Sequence, residues 1–407
     1  MAGLVAAAPA TAQGVGSPAI ATATTVGKVI DGGKWLVIGD SNSVLTTNQV
    51  QGRSYTVFAP AMTKGKLFKQ FSTAVSGHRS DQQYLKLTEF LATGARPTMA
   101  SVMVGTNDIA HGIPMATWQA NYKKIIEQLI TSGIEPVIMT LPPRSGPNRA
   151  TLPAVVEDLW NAWLRSYAQE KGLVYVDVWK AVADPVTREF KTGYYNVKDG
   201  VHVNGFGQMA IAKEFVRVLT PHLKAVSASS KQALTPSRTD TRNLLPNGVF
   251  RSTSTAGWVR YGRANAEADS AAPGGYALNL KGSASDGLSM LGTNKLSAAG
   301  KFKPGDKMKI VLKSKIIDSG SNYSGSGLRL IVREWKGTQY VHTTTEYFGQ
   351  SLENTAYLDH SWEWTVSPGT TAMTLFWKYE EGAGASRRIH AHLGGVGLYN
   401  LTALGRS

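Results

Sequence analysis

The period of the apolar positions divides the chain in two. Over residues 34–224 short apolar runs alternate with longer segments whose apolar residues recur every three or four positions, whereas from residue 243 the period falls to two. In the first part, residues 35–38, 98–104, 136–141 and 173–178 read as buried strands, and residues 71–77 as a further short strand ending in glycine. Residues 81–91 and 118–130 carry helical spacing, the latter through Trp118, Tyr122, Ile125, Ile126 and Leu129. Further helices are predicted over about 152–170 and 206–223. Strands that are apolar on both faces and alternate with long helices predict an α/β unit, a parallel sheet covered by helices on both sides. Residues 42–69 show no such pattern and read as irregular.

The second part reads differently. Alternating runs such as 328–332 and 362–366 lie between clusters of Gly, Asn, Ser and Asp, with no helical period, and predict an all-β antiparallel sandwich over residues 243–403. Residues 225–242 are rich in Ser, Thr and Ala and read as a linker. Residues 1–33, nearly uncharged and rich in Ala, Gly, Thr and Val, read as a flexible or attachment segment. The predicted organisation is therefore 1–33, 34–224, 225–242 and 243–403.

Composition narrows the function classes. At 407 residues with 42% hydrophobic content the chain can build two cores. Its net charge of +15 is spread about equally over both parts, which argues against a dedicated nucleic-acid stripe and leaves attraction to anionic glycans or cell envelopes open. With no cysteine there is no disulfide, no thiolate metal site and no cysteine nucleophile. No apolar run approaches the 18 or so residues of a helical membrane span. The first 12 residues are Ala-rich, but no Lys or Arg precedes them, which argues against a cleaved signal peptide.

A parallel sheet brings the C-terminal ends of its strands to one edge, and those ends carry the candidate chemistry. Ser41 follows the first strand in Gly39-Asp40-Ser41, Gly77 the second and Asn107 the third, while Asp199 and His202 follow the fifth. A serine, a base, a carboxylate three residues from that base, and neutral donors are the parts that ester hydrolysis through an acyl-serine needs. Asp40 and Asp108 read as hydrogen-bonding turn residues, and His78 and His111 as bystanders of the same edge. His390 and His392 share a strand face but have no carboxylate nearby in sequence to suggest a metal site.

In order and spacing these blocks resemble the SGNH, or GDSL-type, hydrolases. Gly39-Asp40-Ser41 is similar to that family's nucleophile block, Val75-Ser76-Gly77 to its glycine block, Gly105-Thr106-Asn107-Asp108 to its asparagine block and Asp199-Gly200-Val201-His202 to its Asp-x-x-His block. The resemblance covers about 190 residues and implies a flavodoxin-like sheet with Ser41 as nucleophile, His202 as base and then acid, and Asp199 as its orienting partner. It further implies an oxyanion hole made by the Ser41 and Gly77 N–H groups and the Asn107 amide, with no metal and no cofactor. The chain departs from the pattern at Val203, where the family often has proline, which implies an effect on loop stiffness only.

Residues 243–250 with Trp258, and the closing run 395–399, resemble the two ends of jelly-roll carbohydrate-binding modules. Trp258, Trp335, Trp362, Trp364 and Trp377 are candidates for sugar stacking, with core packing the favoured role for the alternating pair Trp362 and Trp364. The combined expectation is a serine esterase that removes O-acetyl groups from a polysaccharide or other cell-surface glycan, in an extracellular or virion-associated (phage tail) setting. Attachment to a virion or to further copies of the chain would run through the N-terminal segment. A non-catalytic glycan-binding adhesin and a lipid or aryl esterase are the alternatives.

Overall fold

The computed structural model describes residues 29–44, 54–63, 66–67, 69–146, 148–149, 152–224, 234, 236–237, 239–261, 265–283, 290–318, 327–348, 357–380 and 388–405. Residues 1–28 of the N-terminal segment and residues 225–233, 235 and 238 of the predicted linker lie outside them.

The first part is a five-stranded parallel sheet formed by β1 (Trp35–Gly39), β2 (Lys69–Ser72), β3 (Met99–Met103), β4 (Glu135–Met139) and β5 (Val174–Val176), in the order β2-β1-β3-β4-β5. Among the described residues it is accompanied by the α-helices α1 (Tyr55–Met62), α2 (Ser80–Ala92), α3 (Thr106–Ala110), α4 (Met115–Thr131), α5 (Ala154–Lys171), α6 (Val178–Val182) and α7 (Gly205–Leu219). Alternation along the strands explains why the runs are apolar throughout. Trp35, Val37, Met99, Met103, Val137 and Met139 face a core shared with α1, α6 and α7, whereas Leu36, Ile38, Ala100, Val102 and Ile138 face one shared with α2, α4 and α5. Trp35 stacks on Phe215 of α7 at 4.9 Å between ring centroids and donates its indole N–H to Ser101 Oγ. The order reverses between β1 and β3, and in open α/β sheets the crevice at such a reversal is where ligands bind.

Two local findings refine the pattern reading. Ile30 is buried and pairs with Leu223, so the packed unit begins before residue 34. The stretch read as irregular, 42–69, contains α1, which is capped by Ser54 and carries Pro60 inside its eight residues. A proline in a short, mostly apolar helix hides the helical signal, and the helix is held by tertiary contacts, among them the Tyr55 N–H donated to Gln208 Oε1 of α7.

The second part consists of antiparallel sheets. Their strands are β6 (Trp258–Tyr261), β7 (Asn265–Ala268), β8 (Tyr276–Ser283), β9 (Met290–Thr293), β10 (Leu296–Ser297), β11 (Lys307–Asp318), β12 (Gly327–Lys336), β13 (Gln339–Phe348), β14 (Leu358–Thr365), β15 (Ala372–Glu380) and β16 (Arg388–Asn400). One sheet has the order β13-β12-β15-β9-β6 with β10 beside β15, and the other the order β14-β11-β16-β8-β7. A single core, with Leu330, Val332, Leu375 and Trp377 from one sheet and Met308, Ile310, Leu312 and Leu398 from the other, lies between them. Trp258 and Trp364 are also part of this core, and Trp362 packs against it while stacking on Trp364. Trp335 stands outside that cluster, half-buried, with exposed Tyr340 at 5.9 Å and the Lys295 ammonium 4.4 Å from its ring. His392 is buried and bridges two carboxylates that the sequence does not place beside it, Glu267 at 2.6 Å and Asp269 at 2.7 Å. Asp269 also binds Lys315 and Tyr357, which together hold its carboxyl well below the usual range despite burial.

Candidate active site

β1 ends at Gly39, where a Cβ would lie 2.4 Å from Ser43 Oγ and 3.0 Å from the Met103 carbonyl; the backbone needs glycine there because the chain turns immediately. The turn is closed by the Ser43 and Val44 N–H groups donating to the Asp40 carbonyl and by the Asn42 N–H donating to Asp40 Oδ1. It leaves Ser41 half-exposed at the sheet edge.

His202 arrives from the loop before α7. Its Nε2 is 2.8 Å from Ser41 Oγ, and its Nδ1 is 3.1 Å from Asp199 Oδ2. Asp199 Oδ1 accepts the N–H groups of Val201 and His202, and Oδ2 also accepts the Asn196 amide. Burial pushes the Asp199 carboxyl up, but the backbone bonds from His202 and Val201 and the imidazole itself outweigh it and hold the carboxyl below its ordinary value. An ionised carboxylate only accepts, so Nδ1 must carry the proton and Nε2 must accept from the Ser41 hydroxyl.

The remaining candidates are stitched to the same turn. The Val75 N–H donates to the Gly39 carbonyl, running the chain after β2 alongside the nucleophile turn up to Gly77, which has φ +78°. Among the described residues nothing accepts from the Ser41 or Gly77 N–H. The Asn107 side-chain amide donates to the His78 carbonyl at 3.0 Å, which fixes its orientation with one N–H to spare. Asp108 faces the other way: it accepts the N–H and hydroxyl of Ser80 and so ties α2 to this loop. His111 is exposed, its Nδ1 against the Asn107 carbonyl.

Several supporting residues have no signal in the sequence. The segment after β4 closes over the His202 loop: the Ser145 N–H donates to the Gly200 carbonyl, and the Asn148 amide to the Asp199 carbonyl. Gly200 has φ +66°, and a Cβ there would meet the Ser145 carbonyl oxygen at 1.9 Å, so no other residue fits. Buried Arg144 donates to the Thr106 carbonyl, one residue before Asn107, and pairs with Glu157 of α5.

Asp40 is fully buried, and desolvation raises its carboxyl from 3.8 to about 6, against the lowering influence of the Asn42 N–H and His202. A carboxyl that holds its proton more tightly when folded favours the fold at low pH, and this contribution is lost as pH rises from about 4 through 6. We expect Asp40→Asn to raise unfolding free energy at pH 8 by up to about 3 kcal/mol relative to the parent, the difference vanishing below pH 4, as read from urea unfolding at both pH values.

The chain matches the model of the GDSL-like lipase/acylhydrolase family over residues 37–210. These residues form a GDSL-like acylhydrolase domain. The protein is accordingly an ester hydrolase of the serine type. No curated protein matches the chain. Among solved structures, the GDSL domain is similar to an acetylxylan esterase from Geobacillus stearothermophilus, with 19% identity, 47% of this chain and 96% of that one covered, and a TM-score of 0.39. It is also similar to a GDSL-like lipase from Bacteroides thetaiotaomicron, with 16% identity, coverage of 46% and 88%, and a TM-score of 0.38. A third is an α/β hydrolase from the metagenome of Lake Arreo, Spain, with 19% identity, coverage of 48% and 98%, and a TM-score of 0.40. No helix of the described residues is long and apolar enough to cross a membrane.

Proposed function

We propose that the GDSL domain removes O-acetyl groups from a polysaccharide through an acyl-serine intermediate. The observation that carries the reaction is the continuous relay of Ser41 Oγ, His202 and Asp199, at 2.8 and 3.1 Å. Ser41 Oγ attacks the ester carbonyl as its proton passes to His202 Nε2, and the imidazolium formed is stabilised by Asp199. The carbonyl oxygen, now an oxyanion, is received by the Ser41 and Gly77 N–H groups and the free N–H of Asn107. Collapse of this intermediate expels the sugar hydroxyl, protonated by His202; the same groups then deliver water to the acetyl-serine and release acetate. Every proton in the cycle is carried by His202.

A small acyl group on a large polar alcohol is supported by the site's surroundings. Among the described residues, Ser41 and Asn107 are half-buried, the His202 side chain is 45% exposed, and the neighbours Gly77, His78, Asn42 and Asn107 are small or polar. The Trp335 and Tyr340 pair supports glycan contact by the sandwich, since a sugar's C–H face packs on an exposed ring such as Tyr340, with the Lys295 ammonium over the neighbouring Trp335 ring. A glycan substrate of this kind fits the extracellular or virion-associated setting expected from composition.

Purified full-length protein should release acetate from O-acetylated polysaccharide and should favour p-nitrophenyl acetate over the octanoate by at least about tenfold. A preference for the octanoate would overturn the acetyl reading and favour a lipid ester. Replacing both Trp335 and Tyr340 by alanine should weaken retention of the protein on the same polysaccharide by about 3- to 10-fold per ring, measured by affinity electrophoresis. Unchanged retention would remove this surface from the proposal.

A further inference from the structure

We infer that Asn42, the residue after the nucleophile, is a positioning residue that sets the distance between Ser41 and His202. Its buried side chain leaves the nucleophile turn and brackets His202 from both flanks. Oδ1 accepts the Val203 N–H at 2.9 Å, and Nδ2 donates to the Val201 carbonyl at 3.4 Å. The Asn42 carbonyl accepts the side-chain amide of Gln208 at 2.9 Å; Gln208 is itself buried in α7, its Oε1 taken by the first N–H of α1. The Asn42 N–H is held by Asp40 Oδ1 at 3.0 Å. Every polar atom of this residue therefore has a partner, and two of the bonds end on the backbone immediately before and after the base.

The consequence is geometric. Ser41 and Asn42 are adjacent, as are Val201, His202 and Val203, so the bonds of Asn42 close a small ring whose remaining contact is the 2.8 Å approach of His202 Nε2 to Ser41 Oγ. Ser145 and Asn148 hold the same loop from its other side, at Gly200 and Asp199. Without Asn42 the loop would still be anchored at that side, but the distance from His202 to Ser41 would depend on loop motion alone. Val203 is also more than a matter of loop stiffness: where the resemblance to the family leads one to expect proline, valine supplies the N–H that Asn42 binds, and proline has none to give.

The inference rests on Ser41 and His202 acting as proposed above. In Asn42→Ala, kcat for p-nitrophenyl acetate should fall by about 10- to 100-fold with KM within twofold of the parent, since displacing a correctly placed base by a fraction of an ångström costs rate rather than binding. Labelling of Ser41 by a fluorophosphonate should slow by a comparable factor. Val203→Pro should reproduce the loss by removing the donor, and the double variant should lose no more than either single one, because both changes break one bond. A purely structural role predicts a lower melting temperature with parental kcat per folded molecule. That result, or losses that multiply in the double variant, overturns the inference. Ser41→Ala run alongside separates the two readings: if it is inactive while Asn42→Ala retains full kcat, only the positioning role falls, and if it is active, the site itself does.

Discussion

Ser41→Ala is expected to lower kcat/KM for p-nitrophenyl acetate by about 10⁴-fold or more while leaving the fold intact. Asp199, kept ionised by its hydrogen bonds, directs the proton of His202 to Nδ1 and leaves Nε2 as the acceptor facing Ser41 Oγ. In the variant that acceptor faces a methyl group, and only water remains to attack the ester. The residual rate then comes from whatever the N–H groups of residues 41 and 77 and the Asn107 amide contribute to the oxyanion. Stability should hardly move, because Ser41 is half-exposed and its hydroxyl has no packing role. The measurements are steady-state kinetics and a pre-steady-state burst of p-nitrophenol, which should vanish with the acyl-enzyme. A variant that keeps more than about a tenth of parental activity would remove Ser41 from the mechanism.

What the sequence could reveal of this site follows from how each residue is placed. Ser41, Gly77, Asn107, Asp199 and His202 come together because they lie just beyond strand ends, and strands that are apolar on both faces announce a parallel sheet whose ends share one edge. The pair Asp199 and His202 is local, three residues apart, and needs no tertiary information to meet. The supporting residues are the reverse case. Asn42 meets Val203 across 161 residues, Ser145 meets Gly200 from a loop rich in proline, and Gln208 meets Tyr55 across 153; each is an ordinary polar residue until the fold supplies its partner. The same holds in the sandwich, where the carboxylates on either side of His392 lie 123 and 125 residues away. Which aromatics stand outside the core is equally hidden, since alternation tells which residues share a face but not which face is covered. The two sheets bury Trp258, Trp364 and Trp377 between them and leave Trp335 outside.

Glu157 is held by partners much nearer in the chain, and Glu157→Ala is expected to destabilise the GDSL domain by about 3–5 kcal/mol. Glu157 lies on the buried side of α5 and receives Arg149 Nη2 at 2.8 Å and Arg144 Nε at 3.5 Å. Burial alone pushes the Glu157 carboxyl up and the Arg144 guanidinium down, so each charge is costly where it stands and tolerable only with the other present. Alanine would leave two guanidinium groups, one of them 3% exposed, with no carboxylate between them. Glu157→Gln keeps an acceptor for Arg149 and should cost less, which separates the lost charge from the lost hydrogen bond. Both variants should also lose activity beyond their loss of folded protein. Arg144 holds the Thr106 carbonyl beside Asn107, and Arg149 holds the Arg144 carbonyl, so loosening the cluster frees the loop that carries the Asn107 amide. Urea unfolding at pH 7, with kcat measured on the folded fraction, tests both parts. A change below about 1 kcal/mol in Glu157→Ala would mean that water reaches the arginines and that the ion cluster is not what holds the loop after β4 in place.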